Sequence, residues 1–408
     1  MTEEDYSAIL GDWQGYRFGA VGRREGLGKG VELWIELIPK RKEMMRCSGC
    51  DKMVSGVHDL TERFVRDLPV LDATTVLLVH RRRVNCPHCG PKVEALDWLE
   101  PYARVTNRLS DSVARLCEVL PIRHAAQHFD LHWDTVKAIH KKWLKSRLEP
   151  FKIPEVETIV MDEFALHKGR RYATVIMEPV RKQVLWVGRG RSREDIRPFF
   201  EALGEKGRKR LQAVAMDMNG AYEKEVQAQC PHARIVYDLF HVVAKYGKEV
   251  IRRVRVDEAK RLDKSNPLRK VIRSANWLLL RRKKNIVNQQ ERVTLTELLK
   301  ANRRLMTVYV LGEDLRRLWE YRYEGAARRF WKQWYSRAIR SQIPALKLFA
   351  RRMQERIEGI LAHCHWPLHT SLIEGVNNKI KVIKRMAYGF RDHEYFFLRI
   401  RSAFPGNP

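Results

Sequence analysis

The sequence is poor in acidic residues and contains no long apolar run. Its 49 aspartates and glutamates face 78 lysines and arginines, which gives a formal net charge of +29 at pH 7. No segment approaches the ~18–20 apolar residues of a membrane-spanning helix, and the acidic start, Met1–Asp5, lacks the apolar core of a signal peptide. We therefore expect a cytoplasmic protein whose main partner is a polyanion, for which nucleic acid is the usual choice.

The sequence also lacks the common signatures of nucleotide-driven and nucleophilic enzymes. It has no phosphate-cradling Walker loop, so a nucleotide cofactor is not expected. No Ser/His/Asp or Cys/His arrangement stands out, and there is no internal repeat or low-complexity tract. With 408 residues, 44% of them hydrophobic, the chain can form two to four domains with real cores.

Cysteine is scarce, but four of the seven cysteines form two close pairs. Cys47 and Cys50 are separated by two residues, and so are Cys86 and Cys89. Each pair places two thiolates on one tight turn, and four thiolates complete a closed structural zinc site. A redox pair or unligated thiols are the alternatives. We predict that residues 1–100 form a β-rich region with a four-cysteine zinc ribbon.

The alternation of apolar and polar residues over Val31–Ile38 predicts a strand in that region. Glycines recur between positions 11 and 30 and are expected to interrupt any strand before it. Two apolar runs between the cysteine pairs, Leu68–Leu71 and Thr75–His80, are candidate strands of the intervening sheet. The sequence of residues 1–40 does not indicate a function for this segment.

Residues 101–150 have the periodicity of three helices, with apolar faces after Thr106, over Ile122–Phe129 and after Asp134, which we expect to cap the third helix. This is the layout of a helix-turn-helix domain, whose last helix enters the major groove of DNA. The alternative is a three-helix packing module with a solvated basic face. The outward residues of the third helix, and thus its candidate DNA contacts, are Thr135, Lys137, His140, Lys141, Lys142 and Lys145.

Residues 151–245 alternate between strand and helix patterns. The predicted order is three hairpin-linked strands, a helix, a strand, a helix and a strand. It is the order of the RNase H-like fold, in which the first and fourth strands lie side by side. The predicted strands span residues 156–165, 171–177, 183–188, 211–216 and 233–236, and the helices span 192–203 and 220–229.

Two of the predicted strands lead into an acid, Asp162 in the first and Asp217 after the fourth. Side-by-side placement of these strands brings the two carboxylates together. Glu163 alternates to the opposite strand face, where a supporting or surface role is expected. Asp238 follows the fifth strand and lies either near the acids or at a helix start, while His241 is expected to pack or to orient a neighbour.

Residues 246–365 are helical, basic and rich in tryptophan, and we interpret them as an α-helical insertion into the core. Arg281–Lys284 is a dense positive run, and Arg328–Tyr335 interleaves cations with aromatic rings. Most of these rings are expected in the core of the insertion. Some could stack on unpaired or flipped bases at a DNA end.

Residues 366–408 are predicted to form a last helix and tail. Glu374, Asn378, Lys381 and Arg385 follow helical spacing and share one face. A carboxylate for a metal and cations for phosphate on one stripe suit a nuclease site. The alternative is a basic surface helix with one acid near its positive N-terminal end.

The three acids Asp162, Asp217 and Glu374 suggest a site for two divalent metals. Hard cations such as magnesium prefer carboxylate oxygens. Two such cations a few ångströms apart can activate the attacking oxygen and stabilise the leaving oxygen of a phosphodiester. The sequence therefore predicts an enzyme that cuts and joins DNA.

Several of these segments resemble insertion-sequence transposases of the ISL-three family. The C-terminal block, Ile373–Arg391, is the most specific likeness, and the strand that holds Asp162, the strand end Met216–Met218 and the run Asp238–Val242 also match. The order of zinc ribbon, helix-turn-helix and catalytic core is the same, and the resemblance covers roughly residues 45–400. Where the family has a Ser-Asn-Gly-like approach to the glutamate, this chain has His369–Ser371.

The resemblance implies a DDE transposase with an RNase H-like core, in which Asp162, Asp217 and Glu374 hold two magnesium or manganese ions. The implied substrates are double-stranded DNA: the terminal inverted repeats of the element and a target. Cleavage would leave a 3′-hydroxyl that attacks the target, while Lys381 and Arg385 grip the scissile phosphate or its neighbours. Such enzymes pair two ends as homo-oligomers, and a bacterial, nucleoid-associated location is implied.

Two other functions remain open at the level of sequence. One is a catalytically inactive DNA-binding regulator built from the zinc ribbon and the helix-turn-helix, which the presence of all three acids argues against. The other is a junction-resolving nuclease, which needs no N-terminal module that recognises fixed terminal sequences. The terminal repeats, the target preference and the transposition pathway cannot be read from the sequence.

Overall fold

The computed structural model describes residues 7, 10–25, 30–41, 44–150, 152–167, 169, 171–368 and 371–407, except for the side chains of Ser371 and Leu372. The chain divides into two compact units. The N-terminal unit comprises Met1–Glu149 together with Lys384–Leu398, and the central unit comprises Pro150–Ile383 together with Arg399–Pro408. The expectation for His369–Ser371 concerns residues of which 369 and 370 lie outside the described part.

The N-terminal unit begins with β-structure. Its strands are β1 Tyr16–Glu25, β2 Val31–Pro39, β3 Met45–Cys47, β4 Met53–Val54, β5 Val57–Val70, β6 Ala73–Cys86 and β7 Gly90–Ala95. They form one sheet in the order β1-β2-β6-β7-β3-β4, with β5 paired to β6. The predicted strand at Val31–Ile38 is confirmed as β2. The two short apolar runs after it belong to a much longer hairpin, β5–β6, which turns at Leu71 with φ 55°.

The expectation that glycines interrupt any strand before Val31 is wrong. Strand β1 contains Gly19 and Gly22 and pairs antiparallel with β2 over nearly its whole length. The register shifts between Phe18 and Val21, so the extra residues are accommodated as a bulge, the usual place for glycine within a strand. Pairing with a regular partner strand outweighs the low strand propensity of glycine.

Three helices follow the sheet: α1 Asn107–Val119, α2 Ile122–His128 and α3 Trp133–Leu148. Thr106 caps α1 by accepting a hydrogen bond from the backbone N–H of Leu109. The cap of α3 is His132, whose side chain accepts from the N–H of Asp134. Asp134 itself lies in the first turn, so the expected cap is displaced by two residues. A negative side chain is favourable at either position, because the helix dipole is positive there.

The segment Lys384–Leu398 completes the hydrophobic core against α3. Leu144 is buried together with Tyr395 and Leu398, and Phe390 packs beside them. The ring of Phe390 stacks on Phe396 with their centroids 4.4 Å apart. The N-terminal unit is therefore built from two stretches of chain that are far apart in sequence.

The central unit contains a mixed five-stranded sheet. Its elements are β8 Thr158–Ala165, β9 Tyr172–Glu178, β10 Gln183–Arg189, α4 Arg193–Arg210, β11 Ala213–Met216, α5 Gly220–Gln229 and β12 Arg234–Tyr237. The sheet order is β10-β9-β8-β11-β12. The first three strands are antiparallel, and β8, β11 and β12 are parallel. The predicted strands and helices are confirmed in number and order, with ends that differ by a few residues.

The largest difference lies in α4, which was predicted to end at Leu203. The next residue, Gly204, has φ 71°, a left-handed conformation that glycine adopts without strain. A second helical stretch continues from there to Arg210. Sequence reasoning identified the break but did not anticipate the continuation beyond it.

Residues 239–364 form short helices around one hydrophobic core. The helices are α6 Leu239–Tyr246, α7 Arg252–Arg261, α8 Pro267–Ser274, α9 Asn276–Leu280, α10 Gln289–Ala301, α11 Arg303–Arg317, α12 Glu324–Arg340, α13 Pro344–Gln354 and α14 Ile357–Leu361. Trp331 and Trp334 are both buried and stacked, with centroids 5.0 Å apart. The expectation that most aromatic residues here serve the core is confirmed for these two rings.

The last helices are α15 Ser371–Met386 and α16 His393–Ala403. Helix α15 begins in the central unit and passes into the N-terminal unit after Ile383. It ends at Met386, and the turn that follows contains Tyr388 and Gly389, both with positive φ, where the N–H of Gly389 donates to the carbonyl of Lys384. Among the described helices, none combines the length and the apolarity that a membrane span requires.

Candidate functional site

Three aspartates lie at the same edge of the central sheet because of the strand register. Val160 of β8 pairs with Ala215 of β11, and Asp162 and Asp217 each follow two residues later. Met216 of β11 pairs with Tyr237 of β12, and Asp217 and Asp238 are the next residues. Since parallel neighbours lie about 4.8 Å apart, three carboxylates are aligned along one edge.

Asp162 is held by two hydrogen bonds. Its Oδ1 accepts from the backbone N–H of Glu163 at 2.8 Å, and its Oδ2 accepts from Asn377 Nδ2 at 2.6 Å. Burial raises the pKa of this carboxyl group, and the two hydrogen bonds act in the opposite direction. Asn377 belongs to α15, so this contact connects α15 to the sheet within the central unit.

Asp217 carries a buried oxygen, Oδ1, for which the structure records no hydrogen-bond partner among the described residues. Burial raises the pKa of Asp217 to about 6, and the neighbouring charges of Glu163 and Asp162 add to the rise. A raised carboxyl pKa and an unpartnered oxygen are what an acidic cluster has before a cation binds, because the like charges repel without compensation.

Glu163 does not take the isolated surface position that strand alternation allowed. Its Oε1 accepts from Arg191 Nη1 at 2.7 Å, and its Oε2 lies 3.5 Å from Asn219 Nδ2. The ion pair anchors Glu163 beside the cluster.

Asp238 combines the two roles that sequence reasoning left open. Its Oδ1 accepts from the N–H of Phe240 at 3.0 Å and so caps α6, while its Oδ2 lies 2.9 Å from His241 Nδ1. That hydrogen bond raises the pKa of His241, and the charges of Asp162 and Asp217 act in the same direction. His241 thus places its imidazole ring next to the acids.

Glu374 lies in the first turn of α15 and is exposed. It lines the same cavity as Asp162, a space of about 770 Å³ that Asn377 and Lys381 also border. Asp217 does not line it. Within the described part of the chain, no three carboxylate oxygens lie as close together as the cysteine sulfurs described below, so the three acids form an open group and not a closed cage.

The helical face predicted from spacing differs from the observed face at one position, because Glu374 and Lys381 border the cavity but Asn378 does not. Asn377, and not Asn378, reaches Asp162, and Asn378 Oδ1 instead accepts from Lys381 Nζ at 3.3 Å. Arg385 lies beyond Ile383, in the part of α15 that belongs to the N-terminal unit. The sequence signal for Asn377 was its position three residues after Glu374, one helical turn away.

The four paired cysteines form a compact cluster in the N-terminal unit. The sulfurs of Cys47, Cys50, Cys86 and Cys89 all lie within 4.8 Å of one another. The distance from Cys50 Sγ to Cys86 Sγ is 3.6 Å, close to the ~3.8 Å that two sulfurs of a tetrahedral zinc site with ~2.3 Å bonds require. The predicted ligand set is thus brought together and fits a structural zinc ion.

Backbone amides prepare both cysteine turns for thiolates. The N–H of Gly49 donates to Cys47 Sγ at 3.4 Å. Hydrogen bonds to the sulfur of Cys86, first of all from the backbone N–H of His88, lower the pKa of Cys86 to about 7. The ring of His88 itself points to Lys52 at 3.2 Å, so His88 is a bystander, as a closed four-sulfur site requires.

The predicted DNA contacts of α3 differ in their exposure to solvent. His140 is buried, with Nδ1 2.7 Å from the Tyr395 hydroxyl and Nε2 2.9 Å from Glu118 Oε1, so its assignment to the outward face is wrong. Leu144, which the sequence places on the inward face, is buried as predicted, and Trp143 is partly buried.

Three of the predicted lysines of α3 are paired with acids of the segment Lys384–Leu398. Lys137 and Lys141 lie 3.1 Å and 3.0 Å from Asp392 Oδ2, and Lys141 and Lys145 both contact Glu394. The backbone N–H of Tyr395, together with Lys141 and Lys137, holds the pKa of Asp392 well below its usual range, against the effect of burial. Lys142 pairs with Glu100 at 2.9 Å, but both side chains are largely exposed. Thr135 is partly exposed.

Comparison with known proteins follows the same division of the chain. Residues 159–400 match a family model described as transposase, residues 94–144 match the helix-turn-helix domain of transposase family ISL3, and residues 43–89 match the zinc finger of transposases of IS204, IS1001, IS1096 and IS1165. The zinc-finger match includes both cysteine pairs, and the helix-turn-helix match includes all of α1 and α2.

Two relatives extend the similarity over most of the chain. The transposase for insertion sequence element IS1001 of Bordetella parapertussis is 50% identical over 408 residues, which is the whole of both chains. The transposase for insertion sequence element IS1557 of Mycobacterium tuberculosis is 26% identical over 388 residues, 89% of this chain and 86% of the relative. With its zinc ribbon, its DNA-binding helix-turn-helix and its transposase domain, the chain belongs to the ISL3 family of insertion-sequence transposases.

Proposed function

We propose that this transposase binds the ends of its insertion sequence and catalyses metal-dependent strand cleavage and strand transfer, with Asp162, Asp217 and Glu374 as the metal-binding carboxylates. The observation that carries the proposal is the alignment of Asp162, within β8, with Asp217, directly after the adjacent parallel strand β11. Glu374 shares a cavity with Asp162. Magnesium or manganese are the expected ions, because both favour carboxylate oxygens.

The residues present suit such cations. Burial raises the pKa values of Asp162 and Asp217, and Oδ1 of Asp217 has no hydrogen-bond partner among the described residues, so a bound cation would compensate both carboxylates. Two divalent cations held there would activate the attacking oxygen and stabilise the leaving oxygen of a phosphodiester. Asn377 orients Asp162, and Lys381, at the border of the cavity, is placed to contact a DNA phosphate.

We further propose that residues 151–245 and the last helix, within residues 366–408, form an RNase H-like core, and that residues 246–365 are an insertion between its parts. Support comes from the sheet order β10-β9-β8-β11-β12 with three antiparallel and then parallel strands. The helical nature of residues 239–364 is consistent with this division. Residues 1–100 and 101–150 are the proposed zinc-ribbon and helix-turn-helix domains.

The helix-turn-helix is proposed to recognise double-stranded terminal repeats, with two copies of the chain pairing two ends. Of the α3 residues predicted to touch DNA, Thr135 and the largely exposed Lys142 form no ion pair with the segment Lys384–Leu398. Lys137, Lys141 and Lys145 already have acidic partners in their own unit. A DNA contact by these three lysines would have to compete with those ion pairs.

The test is a cleavage and strand-transfer assay on DNA that carries an end of the element, with magnesium or manganese. Asp162→Asn, Asp217→Asn and Glu374→Gln are expected to bind this DNA as the wild type does and to lose cleavage. Glu297→Gln, which alters an exposed acid of α10 outside the cavity, is the matched control and is expected to cut normally.

Two results would count against the proposal. If the wild type binds the ends but never cuts them, the chain is a DNA-binding regulator. If Glu374→Gln cuts normally while the two aspartate variants do not, α15 supplies no metal ligand at that position. Equal cleavage of branched junctions and element ends would favour the junction-resolving nuclease.

A further inference from the structure

The cavity beside the proposed metal site is lined by aromatic rings as well as by acids. Phe240 and Trp319 border the same 770 Å³ space as Asp162 and Glu374. A site that only had to hold metal ions and a phosphodiester would need oxygen ligands and cations. The rings and the size of the space indicate that a flat, apolar group also binds there.

Phe240 is presented to the cavity by the cap of α6. Its N–H donates to Asp238 Oδ1, and its ring remains 63% exposed. A single exposed phenylalanine is ordinary on a protein surface. This one differs because it lies two residues after an aspartate of the acidic edge and borders a concave space.

Trp319 forms a rigid surface of the cavity. It lies in the turn Leu318–Glu320 and stacks on His363, with ring centroids 5.5 Å apart and an interplanar angle of 26°. The His363 ring is positioned by the carbonyl oxygens of Ile360 at 2.7 Å and Tyr321 at 3.2 Å. The indole is therefore oriented before any ligand arrives.

Two arginines add positive charge to the lining. Arg316 is held by Glu313 at 2.7 Å and by the carbonyl oxygen of Leu280 at 3.1 Å. Arg282 also borders the cavity, and within the described residues no acid is paired with it. A guanidinium group beside aromatic rings can contact a phosphate and can stack on a π-system.

We propose that this cavity receives an unpaired DNA base next to the scissile phosphodiester, with Phe240 and Trp319 as stacking surfaces and Arg282 as a phosphate contact. The inference depends on the proposed function, because it takes the substrate at Asp162 and Glu374 to be DNA. A base within a duplex is stacked and cannot enter a cavity, so the nucleotide must be unpaired or rotated out of the helix. Ring stacking tolerates any base, because every base has a π-face.

The sequence suggested that some aromatic rings of the helical insertion stack on unpaired bases, and the cavity lining favours Trp319 among them over the run Arg328–Tyr335. Trp331 and Trp334 are buried in the helical core and cannot reach a ligand. The rings that border the cavity come from the start of α6 and from the turn after α11, which are 79 positions apart in a chain of 408 residues. Local sequence could not associate them.

The experiment compares two duplexes of the element end, one fully paired and one with an unpaired 2-aminopurine beside the cleavage position. The full-length protein is used without added divalent cation, so that no cleavage occurs. The wild type is expected to bind the unpaired duplex about ten-fold more tightly and to quench its fluorescence by stacking. Phe240→Ala and the milder Trp319→Leu are expected to lose most of this preference.

Trp277→Ala is the matched control, because Trp277 is 65% exposed on α9 and does not border the cavity. Its preference for the unpaired duplex should equal that of the wild type. A loss as large as that of Phe240→Ala would overturn the inference. If the wild type cuts element ends in magnesium but binds both duplexes equally, the inference fails and the proposed function stands. If the wild type neither binds nor cuts the ends, both fail.

Discussion

Asn377 is the residue of α15 that contacts the sheet. Its Nδ2 donates to Asp162 Oδ2, while its buried Oδ1 has no recorded partner in the described part of the chain. The side chain acts through Asp162: it orients one carboxylate oxygen and leaves the other to its backbone hydrogen bond. In the proposed metal site Asn377 would thus be the hydrogen-bond partner of a ligand, and partners of this kind strongly affect metal affinity.

Replacement of Asn377 should therefore impair catalysis without unfolding the protein. We expect Asn377→Ala to slow strand cleavage by about 10–100-fold, as is usual when a partner of a metal ligand is removed. The apparent affinity for magnesium should fall with it, while affinity for DNA stays the same. Asn378→Ala, one residue further on and exposed, should cleave at the wild-type rate. An equal loss in both variants would show that cleavage does not depend specifically on the hydrogen bond between Asn377 and Asp162.

Glu225 is a buried carboxylate whose role is structural. It accepts hydrogen bonds from Arg193 and Arg197 of α4 at 3.0 Å each, and from Gln229 at 3.0 Å. These partners, first of all Arg197, lower the pKa of Glu225 from 4.5 to about 2. A folded-state pKa below the unfolded value means that the ionised form stabilises the fold above about pH 4.5, and that this contribution is lost as the pH falls toward 2.

Glu225→Gln should destabilise the central unit by about 2 kcal/mol at pH 7, a value reduced from that of a fully buried pair because the arginines are partly exposed. The difference from the wild type should shrink below pH 4.5, where the wild type loses the same interaction. Urea unfolding at pH 7 and at pH 3.5 measures both values. Glu205→Gln, which breaks an exposed pair with Lys209, should change stability little at either pH. A pH-independent difference would exclude the ionic origin.

At the level of elements, α3 is the helix whose role the structure changes most. The sequence predicts a basic, DNA-facing surface, and the charges are present as expected. Lys137, Lys141 and Lys145 nevertheless face the acids Asp392 and Glu394 of their own unit. The hydrogen bond that Lys141 donates to Glu394 raises the pKa of Lys141. These lysines hold the C-terminal segment in place.

We predict that Lys142 contributes to DNA binding and that Lys141 contributes to stability. Lys142→Gln should reduce the slope of log affinity against log salt concentration by about one, the value for one lost phosphate contact. Lys141→Gln should leave the slope unchanged and lower the stability of the N-terminal unit by about 1 kcal/mol. Titrations with labelled duplex at several salt concentrations measure the slopes. Equal slope changes in both variants would return Lys141 to the DNA interface.

The zinc ribbon shows how one element can be predicted well from local sequence. Two residues between each pair of cysteines confine both thiolates to one turn, whatever the fold around them. The long separation between the pairs is spanned by the β5–β6 hairpin, which brings Cys86 back to the first turn. The two-residue spacing within each cysteine pair predicted the ligands, and the length of the hairpin explains the sequence separation between the two pairs.

At the level of the whole molecule, the N-terminal unit is not a contiguous domain. Lys384–Leu398 supplies Phe390, Tyr395 and Leu398 to its core. The same segment contains the hydrogen-bond partner of buried His140. A fragment that ends at Glu149 would expose Leu144, leave His140 without the Tyr395 hydroxyl and leave three lysines without their acids.

We therefore predict that residues 1–149 alone are less stable than the same residues joined by a flexible linker to residues 384–398. Exposed apolar surface should make the short fragment bind a hydrophobic dye and melt at a lower temperature. Circular dichroism melts of both fragments, each loaded with zinc, measure the difference. Coincident melting curves would show that the segment adds no stability and that the N-terminal unit ends at Glu149.

The sequence by itself determined the properties that depend on residues close together in the chain. The cysteine turns, the strands that lead into Asp162 and Asp217, the amphipathic helices and the excess of positive charge can all be recognised within short windows. The order of these segments was sufficient to resemble one transposase family, and the comparisons confirm that family.

Only the tertiary structure decided which distant groups meet. Asn377 reaches Asp162 across 215 positions, and His140 reaches Tyr395 across 255. Helical spacing gave the face of α15 only to within one position, so it could not distinguish Asn377 from Asn378. The physical reason is that local periodicity specifies which side of an element is buried, whereas the packing of whole elements specifies what that side contacts.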